Sequence, residues 1–137
     1  MRILALDPGS VRVGVAISDE LRMMARPLEF IPAEPFLVLV ERVKELIRSQ
    51  QVELIVVGMP RNMDGTYGEA ATKAREFVAA LKDVIVVPIR TWDERLTTVS
   101  AAKALRSGGT KAAQQRGKID AAAAAILLQG YLDSLTL

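Results

Sequence analysis

The sequence predicts an α/β fold with a mixed five-stranded sheet: three antiparallel N-terminal strands, then parallel strands, with helices on both faces. Three observations support this prediction. Short apolar runs separated by turns open the chain, continuous β-branched runs follow, and apolar residues at helical spacing lie between those runs. The 137 residues correspond to a single domain over residues 1–137. A chain of this length buries roughly 70% of the surface that its unfolded form exposes, so it needs no disulfide to fold.

The N-terminal part of the chain is expected to form three antiparallel strands. The apolar run Arg2–Leu6 ends at the turn residues Asp7-Pro8-Gly9-Ser10, and Val11–Ile17 then alternates at period two. A third extended segment, Met23–Ile31, contains Pro27, which predicts a position at the edge of the sheet. Strands that are joined by short turns pair antiparallel, so these three form a meander.

The rest of the chain alternates helical patterns with β-branched runs. Strands separated by helices are normally parallel, with right-handed crossovers. The run Leu54–Val57 is continuous, as in strands that are covered on both faces. The predicted elements are a helix over Pro35–Gln50, a strand over Leu54–Val57, a helix over Gly68–Leu81, a strand over Val84–Thr91, a helix from Thr97 or Thr98 to Arg106, and a last helix from Lys118.

Polar and glycine residues mark the carboxyl ends of three predicted strands, at Asp7, Gly58 and Glu94. Ligands of open α/β sheets gather outside the carboxyl ends of the central strands. Asp120, in the first turn of the last predicted helix, can reach the same place in this topology. Carboxylates brought together repel one another unless a cation or proton neutralises them. Oxygen-only ligands select hard ions, so the expected cofactor is Mg²⁺ or Mn²⁺.

Each of these carboxylates also has an ordinary structural role open to it. Asp7 begins an Asp-Pro-Gly turn, Glu94 can pair with the arginine that follows it, and Asp120 suits the positive end of a helix dipole. Gathered around two ions about 4 Å apart, the same groups can activate water, hold a scissile phosphate and stabilise the leaving oxygen. A nuclease needs little more than this arrangement.

The composition excludes several classes of enzyme. The chain contains no cysteine and no histidine, which removes thiol nucleophiles, Ser-His-Asp triads and zinc sites built on those residues. The segments that contain Gly9 and Gly58 match neither a Walker A loop nor the Rossmann fingerprint. Gly9 and Gly14 are expected to allow a tight turn and close backbone packing, with Gly14 also able to keep a ligand groove open.

The distribution of charge is more informative than its total. Eighteen basic and sixteen acidic residues give a net charge of +2, which is too small to predict polyanion binding. The segment from Arg95 to Ile119, however, contains six basic residues and no acidic one. This segment is therefore expected to form a basic rim for phosphates.

The hydropathy pattern predicts a soluble, cytoplasmic protein that does not enter a membrane. The longest uncharged stretch, Ala121–Leu132, has 12 residues, whereas a membrane-spanning helix needs about 20. The N-terminal apolar run meets Asp7 too early to be the core of a signal peptide.

Four sequence blocks together resemble the YqgF family of RuvC-like nucleases with an RNase H fold. They occur in the family's order and span residues 1 to 132, nearly the whole chain. The run Asp-Glu-Arg-Leu-Thr-Thr is the most specific of them. The blocks are Asp7-Pro8-Gly9 with Arg12, Gly14 and Ala16; Val57-Gly58-Met59-Pro60 with Asn62, Asp64 and Gly65; Asp93-Glu94-Arg95-Leu96-Thr97-Thr98; and Lys118-Ile119-Asp120 with Ala122, Ala123, Ile126 and Leu127.

The resemblance implies an RNase H-like fold and a metal-dependent nuclease, with Asp7, Glu94 and Asp120 as the catalytic, metal-binding carboxylates. It favours pre-16S rRNA, trimmed at its 5′ end, as the substrate, with branched DNA as the alternative and the ribosomal particle as a further partner. A monomer or weak homodimer is expected. The residues expected to contact phosphates are Arg12, Arg61, Arg95, Lys111, Arg116 and Lys118.

One position departs from the pattern of RuvC-type resolvases. The resemblance implies a second Asp three residues after the first on the last helix, where this chain has Ala123. Asp93 is not expected to replace it, because adjacent strand residues point to opposite faces and Asp93 precedes Glu94. The departure argues against junction resolution and leaves a nuclease with three carboxylates. A Holliday junction resolvase and a non-catalytic, nucleic-acid-binding ribosome-assembly module stay open as alternatives.

Overall fold

The computed structural model describes residues 1–9, 11–59, 68–93 and 112–135, with only the backbone at residue 70 and residues 112–120. The predicted helix over residues 97–106 and the loop over residues 61–66 lie outside these ranges. The described elements are β1 (Arg2–Pro8), β2 (Arg12–Ser18), β3 (Ala25–Pro32), α1 (Phe36–Gln50), β4 (Val52–Met59), α2 (Glu69–Lys82), β5 (Ile89–Asp93) and α3 (Ala112–Ser134).

The strands form one mixed sheet in the order β3-β2-β1-β4-β5. β1 pairs antiparallel with β2, and β2 pairs antiparallel with β3. β4 runs parallel to β1, and β5 runs parallel to β4. The predicted sheet of three antiparallel strands followed by parallel strands is confirmed, as is the edge position of the proline-containing strand β3. β1 lies at the centre of the sheet.

Alternation along β1 divides the core into two layers. Leu4 and Leu6 are fully buried in a cluster that includes residues of α1 and α2. Ile3 and Ala5 point to the other face, where they pack with Ala124 and the leucines of α3. Ala5 pairs with Ala16 of β2, and small residues at this pair let the alanine-rich helix approach the sheet closely. Helices therefore cover both faces, as predicted.

The helix α1 follows its predicted stripe. Pro35 occupies the N-cap, and the helix ends where Gln51 adopts a left-handed conformation and donates its backbone N–H to Ile47 O. The buried residues Leu39, Val43 and Leu46 belong to the core cluster beneath the helix. Their spacing of four and three residues places them on one face.

The predicted strand over Val84–Thr91 is wrong in its first half. After α2, the N–H groups of Val84 and Ile85 both donate to Leu81 O, so the chain turns instead of extending. Ile85 is buried, whereas Val86 is fully exposed. Pairing with β4 begins where Pro88 O accepts a hydrogen bond from Ile55 N at 2.9 Å. β-branched residues favour extended backbone in loops as well as in strands, so the run did not locate the strand start.

The last helix begins earlier than predicted. It starts at Ala112 instead of Lys118, because an internal Gly117 costs a helix only about 1 kcal/mol relative to Ala. Ala123, Leu127 and Tyr131, which recur at helical spacing, are buried. Ile126 is only half-buried, whereas Leu128 is fully buried. Within the described part of the chain, none of the helices is both long enough and apolar enough to cross a membrane.

Candidate functional site

Asp7 occupies the carboxyl end of the central strand and is half-buried. Alternation from Ile3 and Ala5 places it on the face that α3 covers. Its partner across the β1–β2 pair is Gly14. Gly14 is buried, which favours the predicted role in close packing over an open groove at this position.

The turn after Asp7 requires a glycine. Gly9 N donates to Arg12 O at 2.9 Å, which closes the connection between β1 and β2. A Cβ at Gly9 would lie 2.7 Å from the same carbonyl oxygen, a distance that backbone atoms cannot accommodate without shifting. The predicted tight turn is confirmed, and it fixes Arg12 close to the end of β1.

Arg12 lies on the same face of the sheet as Asp7. It precedes Gly14 by two residues on β2, so it is a diagonal neighbour of Asp7 across the strand pair. Its guanidinium carbon is 5.7 Å from the ring centroid of Phe30 on β3, within the range of a cation–π contact. Among the cations predicted to meet phosphates, Arg12 is therefore the one whose side chain the described part of the structure places near Asp7.

At the opposite edge, β5 is joined to α3 by an aromatic pair. Trp92 and Tyr131 meet edge to face, with ring centroids 5.4 Å apart and an interplanar angle of 87°. The indole lies against the backbone of α3 at Gly130, where a Cβ would be at ordinary contact distance, 3.6 Å, from Trp92 Nε1. Sequence reasoning did not identify this contact, and only the presence of a single tryptophan at a strand end gave any signal for it.

Asp93 belongs to the other face of the sheet. It pairs in register with Met59 of β4, and Met59 packs against Ala71 and Ala74 of α2. Trp92, one residue earlier, packs with the α3 layer. Asp93 and Asp7 therefore lie on opposite faces, as expected for a residue that does not bind the same ion as Asp7.

The other predicted site residues are described only in part. Glu94 follows β5 directly and lies outside the described residues. Asp120 lies on α3, one turn before Ala124 of the buried layer, with only its backbone described. Ala123 is buried, at 2% exposure, so a small side chain fills the position where the resemblance to RuvC-type resolvases implies a second Asp. The predicted phosphate contacts outside the described side chains are Arg61, Arg95, Lys111, Arg116 and Lys118.

The donor chemistry of the site fits a hard divalent cation. Asp7 supplies carboxylate oxygens at the end of the central strand. The two further metal ligands predicted from the sequence, Glu94 and Asp120, are also carboxylates. Oxygen donors of this kind suit Mg²⁺ and Mn²⁺. Among the side chains that the structure describes, no three acidic residues come together as a metal-binding group.

Comparison with known proteins relates nearly the whole chain to one family. The family described as "RuvX: Holliday junction resolvase" matches residues 1–134. A protein of Desulforamulus reducens named "Putative pre-16S rRNA nuclease" is 44% identical over 98% of this chain and 98% of its own length. A protein of Roseiflexus sp. with the same name is 46% identical over 97% of this chain and 94% of its own length.

Solved structures show the same fold at low sequence identity. The Thermus thermophilus RuvC in complex with a Holliday junction substrate aligns with a TM-score of 0.59 and 20% identity, over 99% of this chain and 96% of that one. The fowlpox virus resolvase in complex with junction DNA aligns with a TM-score of 0.57 and 13% identity, over the full length of both chains. The sheet order and helix placement described above are thus those of a RuvC-like RNase H fold, and the chain belongs to the RuvX family.

Proposed function

We propose that this protein is a Mg²⁺- or Mn²⁺-dependent nuclease that hydrolyses phosphodiester bonds of structured RNA and processes the 5′ end of pre-16S rRNA in the cytoplasm. The single observation that carries the proposal is the position of Asp7, a half-buried carboxylate at the carboxyl end of the central strand, on the face that α3 covers. Membership of the RuvX family and relatives named as pre-16S rRNA nucleases over nearly their whole length support the same activity.

The proposed metal ligands are Asp7, Glu94 and Asp120. Asp7 ends β1, Glu94 follows β5, and Asp120 belongs to the helix that packs over the face of Asp7. When bound, divalent ions would activate the attacking water and stabilise the charge that develops on the phosphate and leaving oxygen. The chain's own part is to hold the carboxylates at fixed positions, so that binding of the cation relieves their mutual repulsion.

Basic side chains would position the RNA backbone. Arg12 is held near Asp7 by the tight turn and by its contact with Phe30. Its guanidinium can donate two parallel hydrogen bonds to one phosphate, whereas a lysine acts as a point charge. Arg61, Arg95, Lys111, Arg116 and Lys118 are proposed to extend this contact along the backbone, and the protein would act as a monomer or weak homodimer.

Resolution of Holliday junctions is the second candidate function. The description of the family and the fold shared with junction-bound resolvases favour it. Buried Ala123 argues against it, because the site lacks the fourth carboxylate that the resemblance to RuvC-type resolvases implies. The third candidate function is that of an assembly factor that binds RNA without cutting it. It requires that the carboxylates have no catalytic role.

Cleavage of a matched substrate panel separates these functions. The panel contains a 5′-extended ribosomal RNA fragment, a single-stranded RNA and a four-way DNA junction, each with Mg²⁺, Mn²⁺ or a chelator. Wild type and Asp7→Asn are compared. The proposal predicts metal-dependent cutting of the extended RNA by wild type and loss of nearly all cutting in Asp7→Asn. Cutting of the junction alone would favour the resolvase, and folded protein that cuts nothing would favour the assembly factor.

A further inference from the structure

We propose that Phe30 is a base-stacking residue that holds one unpaired RNA base beside Asp7, an inference that rests on the proposed function. Phe30 is a large aromatic side chain on the edge strand β3, and 47% of its surface is exposed. Its neighbour on β3, Ile31, is the residue that is buried in the core, on the other face. An exposed aromatic ring beside a phosphate-cleaving centre presents a stacking surface to a nucleobase.

The register of the sheet places Phe30 in line with Asp7. Phe30 pairs with Gly14, and Gly14 pairs with Asp7. Directly opposed residues of antiparallel strands point to the same face, so Phe30 and Asp7 share the face that α3 covers. They are two strands apart, about 10 Å at ordinary strand spacing. Gly14 itself is buried and adds no side chain to this row.

Arg12 connects the two residues. It is the diagonal neighbour of both Asp7 and Phe30 around Gly14. Its guanidinium lies 5.7 Å from the ring centroid of Phe30, which covers one side of the ring and leaves the rest of its exposed surface for a base. A cation beside an aromatic surface matches the repeating chemistry of single-stranded RNA, in which a phosphate lies next to each base.

This arrangement favours RNA over a protein partner as the occupant. An apolar protein surface would bury the guanidinium of Arg12 together with the ring, and removing a charged group from water is costly. RNA supplies a phosphate on the same nucleotide that supplies the base, so the guanidinium keeps a charged neighbour when the ring is covered. The subsite would select for an unpaired nucleotide next to the scissile phosphate, since a base within a duplex has no free face to offer.

Binding to RNAs with one abasic position tests the stacking role. The RNA is a labelled 5′-extended ribosomal fragment, and the abasic position is moved along it one nucleotide at a time. Fluorescence anisotropy measures binding in an Asp7→Asn background that does not cut. Phe30→Leu keeps apolar volume on the strand without an aromatic face, Phe30→Trp keeps the face, and Leu37→Ala removes an exposed apolar side chain from α1, on the opposite face. Thermal unfolding shows whether each variant is folded.

We expect Phe30→Leu to weaken binding of intact RNA by roughly 5- to 150-fold, the range for loss of one stacked base. At one abasic position, binding by the parent protein, which carries Asp7→Asn alone, should weaken by the same factor. Binding by the protein that also carries Phe30→Leu should weaken no further at that position. Phe30→Trp and Leu37→Ala should bind like the parent. The slope of log K against log salt should stay unchanged in Phe30→Leu and fall by about 0.7 in Arg12→Gln.

The stacking role would be overturned if the parent lost the same affinity at every abasic position. It would also be overturned if Phe30→Leu bound intact RNA as tightly as the parent. A changed salt slope in Phe30→Leu would also overturn it, because the ring would then act only by holding Arg12 for a phosphate. If the wild-type protein cuts the RNA but the abasic series is flat, only this inference fails. If the wild type neither binds nor cuts RNA, the proposed function fails as well.

Discussion

The rings of Trp92 and Tyr131 meet edge to face with their centroids 5.4 Å apart. Trp92 lies near the end of β5, the strand that Glu94 follows, and Tyr131 lies on α3, the helix that carries Asp120. This contact therefore joins the two elements from which the second and third candidate carboxylates come. Its position on the face of Asp7 makes it a structural support for the site as well as a part of the core.

Tyr131→Ala should lower both the free energy of unfolding and the rate of RNA cleavage. Tyr131 is buried in the α3 layer, and removal of a buried aromatic ring costs about 3 to 5 kcal/mol. Tyr131→Phe retains the ring and should stay within about 1 kcal/mol of wild type. Urea denaturation checks both variants. Val86→Ala, at a fully exposed position, serves as a control that should leave the free energy of unfolding unchanged.

The different burial of two neighbouring apolar residues on α3 leads to a paired prediction. Leu128 is fully buried in the layer beneath the helix, so Leu128→Ala should lower the free energy of unfolding by about 2 to 5 kcal/mol. Ile126 is only half-buried, so Ile126→Ala should cost roughly half as much or less. Equal losses on denaturation, or a larger loss at Ile126, would contradict the orientation of the helix.

The edge strand β3 is tied to α1 by a two-point ion pair. Arg42 donates from Nε and Nη2 to the two carboxylate oxygens of Glu29, at 2.9 and 2.6 Å. Hydrogen bonding to Glu29 is the main cause that raises the pKa of Arg42 above its ordinary value. Both side chains are partly exposed, so the coupling energy in a cycle of Glu29→Gln and Arg42→Gln should be about 0.5 to 1 kcal/mol.

Salt should weaken that coupling, because the screening length falls to about 3 Å in 1 M salt. The cycle is therefore measured at low and at high salt. A coupling that is zero at low salt, or that does not change with salt, would show that the ion pair does not hold the edge strand.

Low pH should remove the stability that Asp19 contributes in the turn between β2 and β3. The Asp19 carboxylate accepts backbone hydrogen bonds from Met23 and Met24 at 2.8 and 3.1 Å. The bond from Met24, followed by that from Met23, lowers the pKa of Asp19 below its usual value of 3.8. A lowered pKa in the folded state contributes stability above the usual value, and this contribution disappears as pH falls through the folded value.

Asp19→Ala should therefore be less stable than wild type near neutral pH, and the difference should shrink as pH falls below 3.8. Urea denaturation from neutral pH to below 3.8 measures this difference in the free energy of unfolding. A difference that is constant down to the lowest pH would mean that ionisation of Asp19 does not contribute. Glu20→Ala, at the exposed neighbouring residue, is the matched control and should show a smaller difference at neutral pH.

Much of the fold could be predicted because local signals and packing agree. The turn after Asp7 and the continuous run Leu54–Val57 each have one structure that suits both the backbone and the core. The strand predicted to begin at Val84 begins later, because β-branched residues such as those of Val84–Val87 favour extended backbone without specifying a pairing partner. The start of α3 was predicted too late: the helix continues through Gly117, whose cost is small against the rest of a 23-residue helix.

The candidate site was less predictable than the fold. Asp7 could be singled out as a candidate because a carboxylate at a strand end is a local pattern. Phe30 and Trp92 gave no such pattern, because their neighbours across the sheet depend on the register between strands. The separation of Asp93 from Asp7 followed from strand alternation, and the pairing of Asp93 with Met59 agrees with it. Glu94 and Asp120 stay predictions.

The most direct test compares the removal of one negative charge on each face of the sheet. Asp7→Asn and Asp93→Asn are matched substitutions at the ends of β1 and β5, on opposite faces. With Mn²⁺ and a 5′-extended ribosomal RNA fragment, Asp7→Asn should lose nearly all single-turnover cleavage, and it should unfold no more easily than wild type because crowded charge is relieved. Asp93→Asn should cut at close to the wild-type rate. Wild-type cleavage by folded Asp7→Asn, or equal losses in the two variants, would contradict a catalytic metal site at Asp7.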